Sequence, residues 1–125
     1  MPTDLAATLI VIARLLLGGA FVVFGIRNIG NLPRFTAAMT ARGLPRPRLM
    51  MIAGIALQIA GGALTAIGPW SAVGAAGLIV FVLVAAWLFH NFWAYSGPER
   101  VPHLNAWIMN TSLVGAFLLV IATSL

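Results

Sequence analysis

Four polar side chains stand inside or at the edge of long apolar runs: Arg14, Gln58, His90 and Asn110. Arginine offers five hydrogen-bond donors and a permanent charge, glutamine and asparagine offer a donor and an acceptor each, and histidine can exchange a proton near neutral pH. Such groups in an apolar setting must find partners, because an unpaired buried polar group costs several kcal/mol. Together they suit binding of a polar head, a carbonyl or a small anion. They do not form a recognisable catalytic set. The chain has no paired carboxylates, no Ser–His–Asp arrangement, no phosphate-cradling glycine loop and no cysteine. His90 and His103 alone do not make a metal site, and His103 stands beside Pro102 in what reads as a loop. No catalytic residue and no metal ligand is therefore assigned.

The elements that must position these groups follow from composition. The chain has 125 residues, of which 62% are hydrophobic and 7% charged. Soluble domains carry about 25% charged residues. So apolar a chain is an integral membrane protein; disorder and a disulfide-stapled scaffold are excluded. Four apolar runs cover about residues 5–26, 49–67, 70–89 and 104–124. Each is long enough to cross a hydrocarbon core of about 30 Å as a helix. The run Leu78-Ile79-Val80-Phe81-Val82-Leu83-Val84 lacks the alternation of a barrel strand. The expected fold is all-α: one domain over residues 1–125, a bundle of four transmembrane helices. The first run reads as a retained span. Asp4 replaces the basic head of a signal peptide, and Arg14 interrupts its apolar stretch.

The connections are unequal. Gly68-Pro69 is a tight turn between spans two and three. In the long connection 27–48, Pro33 can start a short helix and Gly43 can end it. Phe35, Ala38, Met39 and Arg42 then share one face, as in a short amphipathic helix at the membrane interface. An ordinary re-entry loop is the alternative. Connections 27–48 and 90–103 share a side of the membrane. They carry Arg27, Arg34, Arg42, Arg46, Arg48 and Arg100, whereas the other side has no basic residue. That bias predicts cytoplasmic connections and periplasmic termini. The first five of these arginines either serve topology alone or also hold anionic lipid headgroups. Nucleic-acid binding is not expected, since no stacking-rich basic groove accompanies them.

Small residues predict the packing. Gly54, Gln58, Gly61, Thr65 and Gly68 form a stripe on span two, and Arg14, Gly18, Phe21 and Gly25 form one on span one. Small residues let helices approach closely in lipid, so the two stripes are expected to touch; they would also permit a homo-oligomer. Arg14 lies about nine residues, roughly 13 Å, from the start of its run, and Gln58 lies at a similar depth from the other side. No carboxylate reaches that depth. Arg14 therefore cross-links the bundle, lines a polar pocket with Gln58, or snorkels to the interface. His90 is either a proton or ligand group or part of an aromatic girdle with Phe89, Phe92, Trp93, Tyr95 and Trp107.

Several of these residues, in this order, resemble the DoxX family of small four-helix bacterial membrane proteins. The resemblance rests on Arg14-Leu15-Leu16-Leu17-Gly18 with Phe21 and Gly25, then Phe35, Met39 and Gly43-Leu44-Pro45. It continues through Gly61-Gly62, His90 with Phe92 and Trp93, and Asn110 with Gly115. It implies a bundle in the bacterial cytoplasmic membrane. Some members look like membrane subunits of thiosulfate:quinone oxidoreductase or associate with redox-stress complexes. Three positions depart from the family pattern. Gln58 replaces a frequent acid, Arg27-Asn28 replaces a usual lysine, and Met109 replaces another. The resulting expectation is an accessory or anchoring subunit of a larger complex, linked to quinone-using electron transfer. The alternative is a small carrier or binding protein for a lipid, quinone or other hydrophobic molecule at Arg14 and Gln58. A quinone-reducing enzyme in its own right would need a bound redox cofactor. No cofactor is encoded by a motif, although a bound quinone or lipid fits the polar interior. Membrane lipids and other membrane subunits are the expected partners.

Overall fold

A computed structural model describes residues 3–125. Long uninterrupted apolar segments leave the backbone no partner but itself, so they form helices. Four are long: α1 (Thr3–Gly30), α3 (Pro47–Ala66), α4 (Ser71–Phe89) and α5 (Arg100–Ser124). A short helix, α2 (Leu32–Ala41), fills the first connection. No strand occurs among the described residues. The four long helices are apolar enough to cross a membrane. Many of their large side chains point outward, Leu16 at 71% and Leu119 at 67% exposure among them. Water would not tolerate such a surface, and lipid would.

Chain punctuation sets the ends. Pro33 occupies the first turn of α2, where its missing N–H costs nothing. Gly43 follows α2 with φ +73°, a conformation glycine adopts without penalty. Pro47 opens α3. The Gly68–Trp70 turn is a single 3₁₀ turn that hands directly to α4. Two ends differ from the sequence expectation. α1 runs four residues beyond Ile26, to Gly30. α5 begins at Arg100, so Pro102 and His103 lie in its first turn and not in a loop. Proline is tolerated there for the same reason as Pro33.

The helices pack in the order α1, α3, α4, α5, with α1 and α5 barely touching. The central core joins Phe21, Ala75, Leu78, Val82, Phe117 and Val120. Phe21 and Phe117 meet edge to face across the α1–α5 gap, with ring centroids 5.4 Å apart. A second cluster, Met39, Met51, Ile55 and Leu88, ties α2 to α3 and α4. The apolar face of α2 is thus spent largely on the protein. Met39 is fully buried, while Arg34 and Arg42 are exposed.

The glycine contacts correct the expected stripes. Gly18 and Gly25 of α1 do face α3, against Gly62 and Ile59. Gly62 makes the reciprocal contact with Gly18 and Val22. Gly61 instead turns to α4, where it meets Leu78 and Gly74. Gly54 looks toward Phe81 of α4 at 3.9 Å, and Gly68 meets nothing. Residues 61 and 62 lie about 100° apart around a helix, so the adjacent pair serves two neighbours at once.

Candidate functional site

Arg14 and Gln58 do not share a pocket. In the packed register Gly18 opposes Gly62 and Gly25 opposes Ile59. Gln58 therefore comes level with Asn28, about 21 Å along α1 from Arg14. Helix geometry widens the separation. Side chains lean toward the N-terminus of their own helix, and α1 and α3 run in opposite directions. Arg14 leans toward the Trp70 end of the bundle, and Gln58 leans toward the end bearing the arginine-rich connection.

At the Trp70 end, Arg14 Nη1 donates to Ser71 Oγ over a long 3.4 Å. Ser71 Oγ lies 2.8 Å from Ser124 Oγ, and the Ser124 hydroxyl donates to the Val120 carbonyl at 2.6 Å. Each hydroxyl has one proton. Ser71 Oγ also donates to the Gly68 carbonyl at 3.1 Å and accepts from Arg14, and either serine can donate across the 2.8 Å contact. Arg14 Nε is buried and has no partner.

At the other end, Asn28 Nδ2 donates to Gln58 Oε1 at 3.0 Å. Gln58 is 5% exposed. This amide pair forms the polar floor of a cavity of about 520 Å³ between α3 and α4, beneath α2. Phe35, Met39, Gly54 and Phe81 line it, and His90 stands at its edge. Gly54, expected as a packing residue, instead keeps this wall open. The volume lies within the range of about 300–1,000 Å³ typical of small-molecule sites.

His90 caps α4 and faces α5. Its Nδ1 lies 3.2 Å from His103 Nδ1, so one ring donates and the other accepts. Tyr95 stacks on His103 with centroids 4.4 Å apart. The Trp107 indole donates to the His90 carbonyl at 2.6 Å, and Phe92 and Trp93 pack around that indole. Asn110 Nδ2 donates to the Val82 carbonyl at 3.2 Å, which cross-links α5 to α4 inside the apolar layer. Arg27, Arg34, Arg42, Arg46 and Arg48 are all exposed. No group of three or more potential metal ligands exists among the described residues.

Sequence reasoning missed Asn28, Ser71, Ser124 and the His90–His103 pair. Asn28 carried a signal: it falls within about 40° of the Arg14 face, fourteen residues on. The two serines carried none, because their helices meet only in the packed bundle.

Residues 9–91 match the DoxX family model. The chain belongs to the DoxX family. The matched region contains α1 from Leu9 onward, α2, α3 and α4, and so includes Arg14, Gln58 and His90. Among curated proteins, this DoxX chain is similar to the inner membrane protein YphA of Escherichia coli (strain K12). The two are 27% identical over 115 residues, covering 92% of this chain and 82% of the relative. No solved structure matches the chain. Family membership and four apolar helices make it a multi-pass membrane protein.

Proposed function

We propose that this DoxX protein is a binding subunit of the bacterial cytoplasmic membrane. It takes a hydrophobic molecule with a hydrogen-bonding head, of the quinone class, and serves a larger membrane assembly without being a self-contained catalyst. The observation that carries this reading is the 520 Å³ cavity under α2. Its walls are apolar and its floor is the Asn28–Gln58 pair, whose spare amide protons can bind a ring carbonyl. His90 at the rim adds a group able to give or take a proton. Purification from the native host in mild detergent, followed by solvent extraction and mass spectrometry, tests it. A quinone should co-purify, and Gly54→Phe, which fills the cavity, should reduce it severalfold. Equal quinone content in both proteins would sink the proposal.

The accessory role draws support from the family resemblance to membrane subunits of quinone-linked oxidoreductases. The same purification should retain a partner in fixed ratio. Recovery of a lone homo-oligomer counts against it. The proposed orientation places both termini in the periplasm and connections 27–48 and 90–103 in the cytoplasm. It is supported by six connection arginines on one side against none on the other. The exposed loop arginines are then placed to meet anionic headgroups, with α2 near the interface. Single cysteines at Thr40 and Leu125 test the orientation. Labelling of the Thr40 site from outside intact cells would reverse it.

A further inference from the structure

His90 is the one titratable residue among those lining the cavity under α2. Its Nδ1 lies 3.2 Å from His103 Nδ1, and His103 does not line the cavity. With Nδ1 held there, Nε2 is the ring nitrogen left for a ligand. A neutral imidazole carries one proton, so one nitrogen donates and the other accepts. The partner at Nδ1 therefore decides what His90 Nε2 can do. When His103 donates, His90 carries its proton on Nε2 and offers the cavity a donor. When His103 accepts, His90 carries its proton on Nδ1 and Nε2 offers a lone pair.

The direction of this bond is not pinned. A carboxylate or a backbone carbonyl at Nδ1 only accepts, and so fixes one tautomer. Here the partner is a second imidazole, joined through the same kind of atom, so either direction is open to it. Tyr95 stacks on the face of His103 with centroids 4.4 Å apart. Trp107 donates to the His90 carbonyl and not to the ring. Among the described residues, no carboxylate or arginine bonds to either ring. Reversal moves one proton across the 3.2 Å contact. His90 releases its Nε2 proton to water, and His103 takes one from water at its own Nε2, so the pair keeps the same number of protons.

The floor of the cavity already serves both roles, since the Asn28 and Gln58 amides each present a donor and an acceptor. A quinone presents acceptors only, whereas its quinol presents hydroxyls that also donate. A rim group fixed in one role would leave one of the two forms with a stranded group. We propose, on the quinone-class reading of this cavity, that the His90–His103 pair is a reversible hydrogen-bond switch that lets one site hold both a quinone and its quinol. His90 Nε2 donates to a quinone carbonyl with His103 donating behind it, and accepts from a quinol hydroxyl with the bond reversed. His103 is a positioning residue: it acts through His90.

The test uses the full chain in detergent with menadione, a tailless naphthoquinone, and its quinol. Each is followed by equilibrium dialysis under argon at about pH 8, where an ordinary histidine is neutral. The chain has no cysteine for the quinone to alkylate. Gly54→Phe, with the cavity filled, gives the background from micelles. The wild type should bind the two forms with affinities within about threefold of each other. His103→Lys, a donor only, should favour the quinone by at least about tenfold, the ratio that one stranded hydrogen bond supplies. His103→Gln, which can donate or accept, should stay with the wild type. The chain has two histidines, so nitrogen NMR of histidine-labelled protein reads the tautomers directly. The His90 proton should sit on Nε2 with quinone bound and on Nδ1 with quinol bound. Thermal melts establish that each variant is folded; if His103→Lys is not, the wild-type tautomers still decide. Binding of neither form above the Gly54→Phe background would overturn the cavity reading and the switch with it. Binding of both forms with one unchanging His90 tautomer would overturn the switch alone. So would an affinity ratio that His103→Lys leaves alone, or that His103→Gln shifts equally.

Discussion

The two ends of the bundle treat buried polarity in opposite ways. Near the arginine-rich connection, Asn28 and Gln58 close on each other at 3.0 Å, and His90, His103 and Trp107 form a linked set. Among the described residues, the Thr36 hydroxyl on α2 is the buried side-chain polar atom there without a partner. At the Trp70 end, Arg14 keeps one long bond to Ser71 and a buried Nε with no partner. The first end is cross-linked by its own side chains. The second is left incomplete by the fold. Neutral amides can satisfy each other in an apolar layer, whereas a cation there needs an anion, and neither side-chain carboxylate, Asp4 or Glu99, bonds to Arg14.

The helix crossing between these ends should be the most sensitive point. Gly62→Leu puts a side chain against the Gly18 backbone and Val22. Backbone cannot yield as a flexible side chain can, so the loss should exceed the usual overpacking cost of about 1–3 kcal/mol. Both ends should fail together, seen as aggregation in a detergent melt. A melt close to wild type would show that α1 and α3 do not cross there.

Breaking the closed end should come next. Gln58→Leu removes the acceptor and strands the Asn28 amide, at a cost of about 1–3 kcal/mol. Adding Asn28→Leu should recover part of that loss, because two apolar partners leave nothing unpaired. Additive losses in a double-mutant cycle would show that the two amides act separately. Trp107→Phe keeps most of the ring and removes the bond to the His90 carbonyl, a loss of about 0.5–1.5 kcal/mol.

Arg14→Leu should have the smallest effect on stability, under about 1 kcal/mol, since its one bond is long. The contrast with Gln58→Leu is the sharpest form of the comparison. A melt lowered more by Arg14→Leu than by Gln58→Leu would mean that Arg14, and not the amide pair, carries the structure.

Much of this was legible in the chain, for local reasons. Apolar length forced four helices, since a backbone in lipid must satisfy its own hydrogen bonds. Pro33 and Gly43 bounded α2 because each acts on its own backbone angles. The order of motifs from Arg14 to His90 carried the family, and 9–91 is the stretch that matches it. Arg14 stood out by type alone as a charge without a counterion.

The partners of these residues were not legible, because they depend on how helices slide and rotate against one another. Equal depths counted from the two sides suggested an Arg14–Gln58 pocket. The register set by Gly18 on Gly62 instead carried Gln58 down to Asn28. The same register gave Gly61 to α4 and Gly62 to α1. It also left α1 and α5 apart, and that gap, which no local pattern encodes, places a groove beside Arg14. Sequence thus fixed which groups had to be satisfied, through the cost of burying them. The packed structure decided which were satisfied within the chain and which were not.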